Sequence, residues 1–150
     1  MKIEVTLNGK KTVLEVAADE LLADTLRAAG FASIRRGCDT TNCGLCTVWI
    51  DGKPTLSCAT LSARMDGHDI TTIEGVAGEA EAFARLLVAE GGEQCGFCSP
   101  GFIMTVLSMK RELTDPTDEE INHYLTGNLC RCTGYMGQLR AVKKFLEVRP

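Results

Sequence analysis

Eight cysteines set the chemistry open to this chain, and they fall into two sets of four. The first is Cys38, Cys43 and Cys46, spaced C-x4-C-x2-C and answered downstream by Cys58. Three thiols from one loop and a fourth from farther along is the ligand order of a plant-type [2Fe-2S] cluster, in which each iron takes two thiolates. An oxidised cluster with four thiolates is a net dianion, so backbone N–H groups must point at its sulfurs for burial to be tolerated. Gly37 and Gly44 flank these thiols and let the backbone come that close. The spacing points to one-electron transfer.

The second set is Cys95-Gly96-Phe97-Cys98 and Cys130-Arg131-Cys132, one pair in each of two loops. Two loops that face each other would close a second four-thiolate site, and all eight cysteines are then used. Two other chemistries compete. Disulfides suit an oxidising compartment, whereas the N-terminal Met-Lys-Ile-Glu-Val-Thr-Leu-Asn-Gly is charged and alternating with no apolar signal core, and no later run is long enough to span a bilayer. The chain therefore reads as cytoplasmic, where thiols stay reduced and a regular cysteine pattern binds metal. Structural zinc on four cysteines is the second competitor. Zinc knuckles use C-x2-C pairs, while C-x4-C-x2-C in a β-rich setting suits two irons.

The elements that must position these thiols follow from periodicity. Ile3, Val5 and Leu7 alternate with polar residues, Asn8-Gly9 is a hairpin turn, and Val13, Leu14 and Val16 continue on the far side. Asp19 is placed to cap a helix carrying Leu22, Leu26 and Ala29, and Gly30 to stop it. Thr47 to Ile50 reads as a strand, Asp51-Gly52 as its turn, and the next strand ends at Cys58; Asp69 to Ile73 supplies a last one. Hairpin, helix and further strands predict a β-grasp fold over residues 1–76.

Past the flexible Glu74-Gly75-Val76-Ala77-Gly78 the period changes from two to about 3.6. Phe83, Leu86 and Leu87 make one stripe. Ser99-Pro100 reads as an N-cap with proline at the first helical position, before Ile103, Val106, Leu107 and Leu113. Thr117 to Glu120 is a capping box before Ile121, Tyr124 and Leu125, with Gly127 as the stop, and Leu139, Val142, Phe145 and Leu146 form a last helix. Residues 77–150 thus predict a small four-helix bundle, and the chain is α+β as a whole. Each half is near the size at which a metal staple is commonly needed. The formal charge of −4 and the scattering of Lys and Arg give no footprint for nucleic acid.

These stretches carry a family resemblance. The chain resembles the small iron-sulfur subunit of the molybdenum hydroxylases, the xanthine dehydrogenase, aldehyde oxidoreductase and carbon monoxide dehydrogenase group. The matching runs are residues 37–48, Ser57-Cys58, Thr72 to Gly75, Gln94 to Gly101 and Gly127 to Tyr135. The resemblance implies two [2Fe-2S] clusters that relay electrons from a molybdopterin site on a large subunit to FAD on a medium subunit, with no catalytic residue on this chain. By position, Cys95, Cys98, Cys130 and Cys132 would hold the molybdenum-side cluster, with Gln94 and Cys132 near the partner's pterin. Cys38, Cys43, Cys46 and Cys58 would hold the flavin-side one. Many members read G-C-G-x-G-x-C-G where this chain has Asp39 and Thr41, as in the carbon monoxide dehydrogenase-like branch. A β-branched residue is strained at positive φ, so Thr41 is expected to hold an ordinary φ.

Other residues read as structural. His68 and His123 are expected at the surface, Met104 and Met109 in packing, and Trp49 facing outward as an interface anchor or a lone aromatic. Two further function classes carry the same cysteines: a free-standing two-cluster carrier or redox-sensing module, and a zinc-stapled interaction domain. No Gly-rich phosphate motif places FAD or molybdopterin on this chain.

Overall fold

The computed structural model describes residues 1–147; positions 148–150, the end of the segment assigned to the helical half, lie outside them. β1 (Lys2–Leu7) and β2 (Lys10–Glu15) form the predicted hairpin, with Leu7 opposite Lys10. Asn8 and Gly9 both take positive φ, 50° and 77°, the pair that a type I′ turn requires. Ile3, Val5, Leu7, Leu14 and Val16 are buried while Val13 is exposed. Successive strand side chains point to opposite faces, so Leu14 and Val16 can face in only if Val13 faces out.

β3 (Thr47–Ile50), β4 (Lys53–Leu56) and β5 (Asp69–Thr71) complete a mixed sheet of order β2-β1-β5-β3-β4. β1 and β5 run parallel and the other neighbours antiparallel. One face packs on α1 (Leu22–Ala28) through Leu22 and Leu26, giving the β-grasp arrangement. α1 begins without Asp19. Its N-cap is Leu21, which makes no side-chain cap, because the segment after Cys58 supplies the partners: Leu22 N–H donates to Thr60 O (2.8 Å) and Ser62 N–H to Glu20 O (2.8 Å). The far end is as predicted. Gly30 sits at φ 100° and Phe31 N–H reaches back to Leu26 O (3.0 Å), which closes a Schellman turn.

The second half holds α2 (Ala77–Ala89), α3 (Ser99–Glu112), α4 (Asp118–Tyr124) and α5 (Met136–Glu147). Phe83 is their hub, with ring centroids 5.9 Å from Phe102 and 5.0 Å from Phe145. The Thr117 and Glu120 capping box opens α4. α4 closes at Leu125, two residues before Gly127, and α3 starts one residue earlier than predicted, with Cys98 as N-cap and Ser99-Pro100 inside the helix. α3 is buried on nearly every side from Gly101 to Met109. It is sandwiched between the other helices and the outer face of the sheet.

That sandwich overturns the outward placement of Trp49. Trp49 is 3% exposed and belongs to the helical core, while its neighbour Val48 belongs to the β-grasp core. Strand alternation sends the two side chains to opposite faces, and here both faces are covered. Met104 and Met109 are buried in the same cluster, and His123 is exposed. His68 is half-buried and binds the Asp51 carboxylate at 2.6 Å.

Candidate metal centres

The first set of thiols lies in the irregular stretch between α1 and β3. Arg35 N–H donates to Leu45 O (3.3 Å), so the loop from 35 to 45 returns on itself. Cys43 and Cys46 are buried and Cys38 is half-buried near its mouth. Cys58 sits in a single 3₁₀ turn that directly follows β4. Ser57 fastens that turn to the loop, its backbone N–H and its hydroxyl both donating to Cys46 O (3.3 and 2.6 Å).

Within the set, Cys38 lies against Cys43 and Cys46 against Cys58. Backbone N–H groups converge on the first pair: Asn42 and Thr40 on Cys38, Leu45 and Gly37 on Cys43. The Asn42 N–H, with the Cys43 thiol and the Thr40 N–H, holds Cys38 down at about 6. Burial beside three other sulfurs pushes Cys58 up to about 12. Thr41, expected at an ordinary φ, instead takes φ 56°. The left-handed step presents the flanking N–H groups of Thr40 and Asn42 to one sulfur, and the Thr41 hydroxyl bonds the Thr40 carbonyl (2.8 Å).

The second set spans two loops. The stretch after α2 carries Cys95 and delivers Cys98 to the head of α3; the stretch between α4 and α5 carries Cys130 and Cys132. Cys95 and Cys132 meet at 3.5 Å and are exposed, while the half-buried Cys98 pairs with the buried Cys130, the more interior of the two pairs. Burial and the neighbouring Cys130 push the Cys98 thiol up to about 11. The Cys130 sulfur meets the Thr133 hydroxyl (3.2 Å) and the N–H groups of Thr133 and Cys132; its own N–H donates to the Tyr135 hydroxyl (2.9 Å). Gln94 is exposed beside Cys95.

This donor geometry fits two-iron centres. Each set resolves into two thiol pairs, as two irons with two thiolates each require. The N–H groups aimed at the sulfurs supply the positive dipoles that an anionic cluster needs.

The two sets are joined by a tight seam. Leu129 N–H donates to Cys43 O at 2.9 Å, so the residue before Cys130 is bonded to a cysteine of the first set. A Cβ on Gly101 would lie 2.2 Å from Gly44 O, and a Cβ on Gly44 would lie 2.2 Å from Gly127 O. The Arg35 guanidinium donates to Gly96 O and lies 5.3 Å from the centre of the Phe97 ring. A void too small for water, lined by Cys43, Cys98, Cys130 and Gln138 among others, separates the sets.

Residues 5–72 match the family described as a 2Fe-2S iron-sulfur cluster binding domain, and residues 72–143 match a [2Fe-2S] binding domain. The small FeS subunit of nicotinate dehydrogenase from Eubacterium barkeri is 38% identical over 148 residues, covering 97% of this chain and 94% of that one. The chain belongs to the [2Fe-2S] small-subunit family of the molybdenum hydroxylases. Within that family, the structure of quinoline 2-oxidoreductase from Pseudomonas putida 86 superposes with a TM-score of 0.91 at 36% identity, covering 98% of this chain and 94% of that one. The aldehyde oxidoreductase of Desulfovibrio gigas superposes with a TM-score of 0.90 at 39% identity, over 99% of this chain and 17% of that longer one.

Sequence reasoning grouped the thiols into two sets and missed what surrounds them. Arg35 and Gln138 carried no signal at motif level, and Leu129, though inside the matching run 127–135, gave no hint of its bond to Cys43. For Gln138 one clue was available: it shares a helix face with Ala141, Val142 and Phe145, all buried, so a polar side chain stands at the start of an apolar stripe.

Proposed function

We propose that this chain is the electron-transfer subunit of a molybdenum hydroxylase, holding two [2Fe-2S] clusters that relay electrons from molybdopterin on a large subunit to FAD on a medium subunit. Cys38, Cys43, Cys46 and Cys58 hold one cluster in a domain of residues 1–76; Cys95, Cys98, Cys130 and Cys132 hold the other in a domain of residues 77–150. Each cluster, when bound, takes up and gives up one electron at a time. The observation that carries the reading is the seam: two sets of paired thiols, each lined with N–H groups, are linked through the Leu129 N–H and the Cys43 carbonyl.

The chain's own residues do three things in this reading. N–H groups of the 37–46 loop offset the charge of the thiolates. Close packing of Gly44, Gly101 and Gly127 holds the two sets against each other. The exposed edge bearing Gln94, Cys95 and Cys132, next to the exposed Phe97, Leu129, Tyr135 and Met136, faces the pterin-bearing partner. Four exposed large apolar side chains on the two cysteine loops and the turn into α5 suit an interaction surface. No helix among the described residues is long and apolar enough to cross a membrane, and the reduced thiols suit the cytoplasm.

The test is anaerobic purification of the tagged chain from its own host. The expected product has visible bands that dithionite bleaches, about four irons and four sulfides per chain, and stoichiometric molybdenum and flavin in the co-purifying assembly. An iron-sulfur monomer that co-purifies with neither would make it a free-standing carrier. A colourless chain containing zinc would overturn the redox reading.

A further inference from the structure

Gln138 is the third residue of α5 and is only 3% exposed. Its side-chain amide lies 3.9 Å from the sulfur of Cys98, within reach for a donor to the large, diffuse sulfur atom. Among the described residues this amide has no other side-chain or backbone partner. Among the described residues, and apart from thiols, the one other side-chain polar group against a cysteine sulfur is the Thr133 hydroxyl, 3.2 Å from Cys130 Sγ, and it can donate to that sulfur once the thiol has lost its proton. Cys98 and Cys130 are the more interior pair of the second set, so both of these donors serve the side of that site turned toward the first set.

The placement of Gln138 is built into the backbone. α5 begins by packing against the turn after α2, where a Cβ on Gly137 would lie 2.8 Å from both Glu90 O and Gly91 O. A Cβ on Gly92 would lie 3.0 Å from the backbone N of Gln138. Arg140 and Lys144 both bind Glu90 and fix the same contact from the outside. The first turn of α5 is thereby held against the loop that leads to Cys95 and Cys98, and the long Gln138 side chain reaches inward from it.

Burying an amide costs free energy unless it finds a partner. A thiolate bound to iron carries no proton and can only accept, so the NH₂ end of the amide must face it. Reduction adds one negative charge to the cluster, and a hydrogen bond to a ligating sulfur stabilises the more negative state.

We propose that Gln138 is a positioning residue of the helical-half cluster, its amide donating to Cys98 Sγ and raising the reduction potential of that cluster relative to an apolar side chain. This rests on the assignment of Cys98 as a cluster ligand given above.

The experiment is an EPR-monitored redox titration of the holoprotein carrying Gln138→Leu and, separately, Gln138→Met, beside wild type. The expected result is a shift of one centre to more negative potential, with the other unmoved and iron content unchanged. An unchanged pair of potentials at full iron content would overturn the role of Gln138 and leave the two-cluster reading standing; a wild-type protein without clusters would overturn both. A measurement on wild type needs no variant to fold. The chain contains only two glutamines, Gln94 and Gln138, so ¹⁵N labelling of glutamine side chains, compared with Gln94→Ala, isolates one amide. Spin-echo spectra of the reduced centre should show coupling to that nitrogen, appearing in the centre whose potential the variants move. Absence of coupling from both centres would refute the hydrogen bond.

Discussion

The indole N–H of Trp49 donates to the backbone carbonyl of Met104 at 3.1 Å, joining the middle of β3 to the middle of α3. One face of the ring is covered by Arg111, whose guanidinium carbon lies 3.9 Å from the ring centre. One side chain from the sheet therefore completes the helical core, so the halves share an interior as well as the seam between their thiol sets. Trp49→Phe keeps most of the apolar area and removes the donor. We expect a loss of about 1–2 kcal/mol, read as a lower midpoint for thermal bleaching of the visible bands. An unchanged midpoint would mean that the bond across the halves contributes nothing.

Thr41 at φ 56° is a β-branched residue in the left-handed region. Such residues hold this conformation at a cost of order 1–3 kcal/mol, while asparagine adopts it more readily. The exposed Thr41 hydroxyl bonds only the adjacent carbonyl, so little is lost with it. Thr41→Asn should raise stability by about 1 kcal/mol and slow release of iron to a chelator. Faster release would show that the threonine itself, rather than the turn it adopts, protects the cluster loop.

Two glycines inside helices give opposite predictions. Gly78 in α2 has open space where a Cβ would go, whereas a Cβ on Gly101 in α3 would strike Gly44 O at 2.2 Å and Leu45 Cα at 2.9 Å. Gly78→Ala should therefore stabilise the protein by about 0.5–1 kcal/mol through helix propensity. Gly101→Ala should destabilise it by more than that gain, because backbone must move. It should also slow electron exchange between the two centres by widening the seam, measured by flash reduction. Equal responses of the two variants would contradict the packing.

The contrast between these glycines shows where sequence reasoning reaches and where it stops. The cysteine spacing, the Asn8-Gly9 hairpin, the Gly30 stop and the Thr117 capping box are local signals, each set by a few neighbouring residues. They were legible, and they singled out all eight thiols as two sets of four. What was not legible depends on residues far apart in the chain. Leu21 needs no side-chain cap because residues 60–62 approach it. Trp49 turns inward because α3 covers the outer face of the sheet. Thr41 is driven left-handed because the loop must aim N–H groups at Cys38. Local propensity in each case yields to a tertiary demand.

Arg35 joins both cysteine loops at once. Its backbone N–H is bonded to Leu45 O in the first, and its guanidinium to Gly96 O and the Phe97 ring in the second. The Cys95–Cys98 loop presents an exposed thiol and an exposed phenyl ring, and this clamp ties it to the first half. Arg35→Ala removes donor and stacking surface together and should speed iron loss from the helical-half centre several-fold, while the β-grasp centre keeps its EPR signal. Arg35→Lys retains the charge without the planar fork and should fall between the two. The check is the decay of each centre's EPR signal under a chelator. Equal decay of both signals in Arg35→Ala would mean that the clamp supports the whole fold instead of one loop.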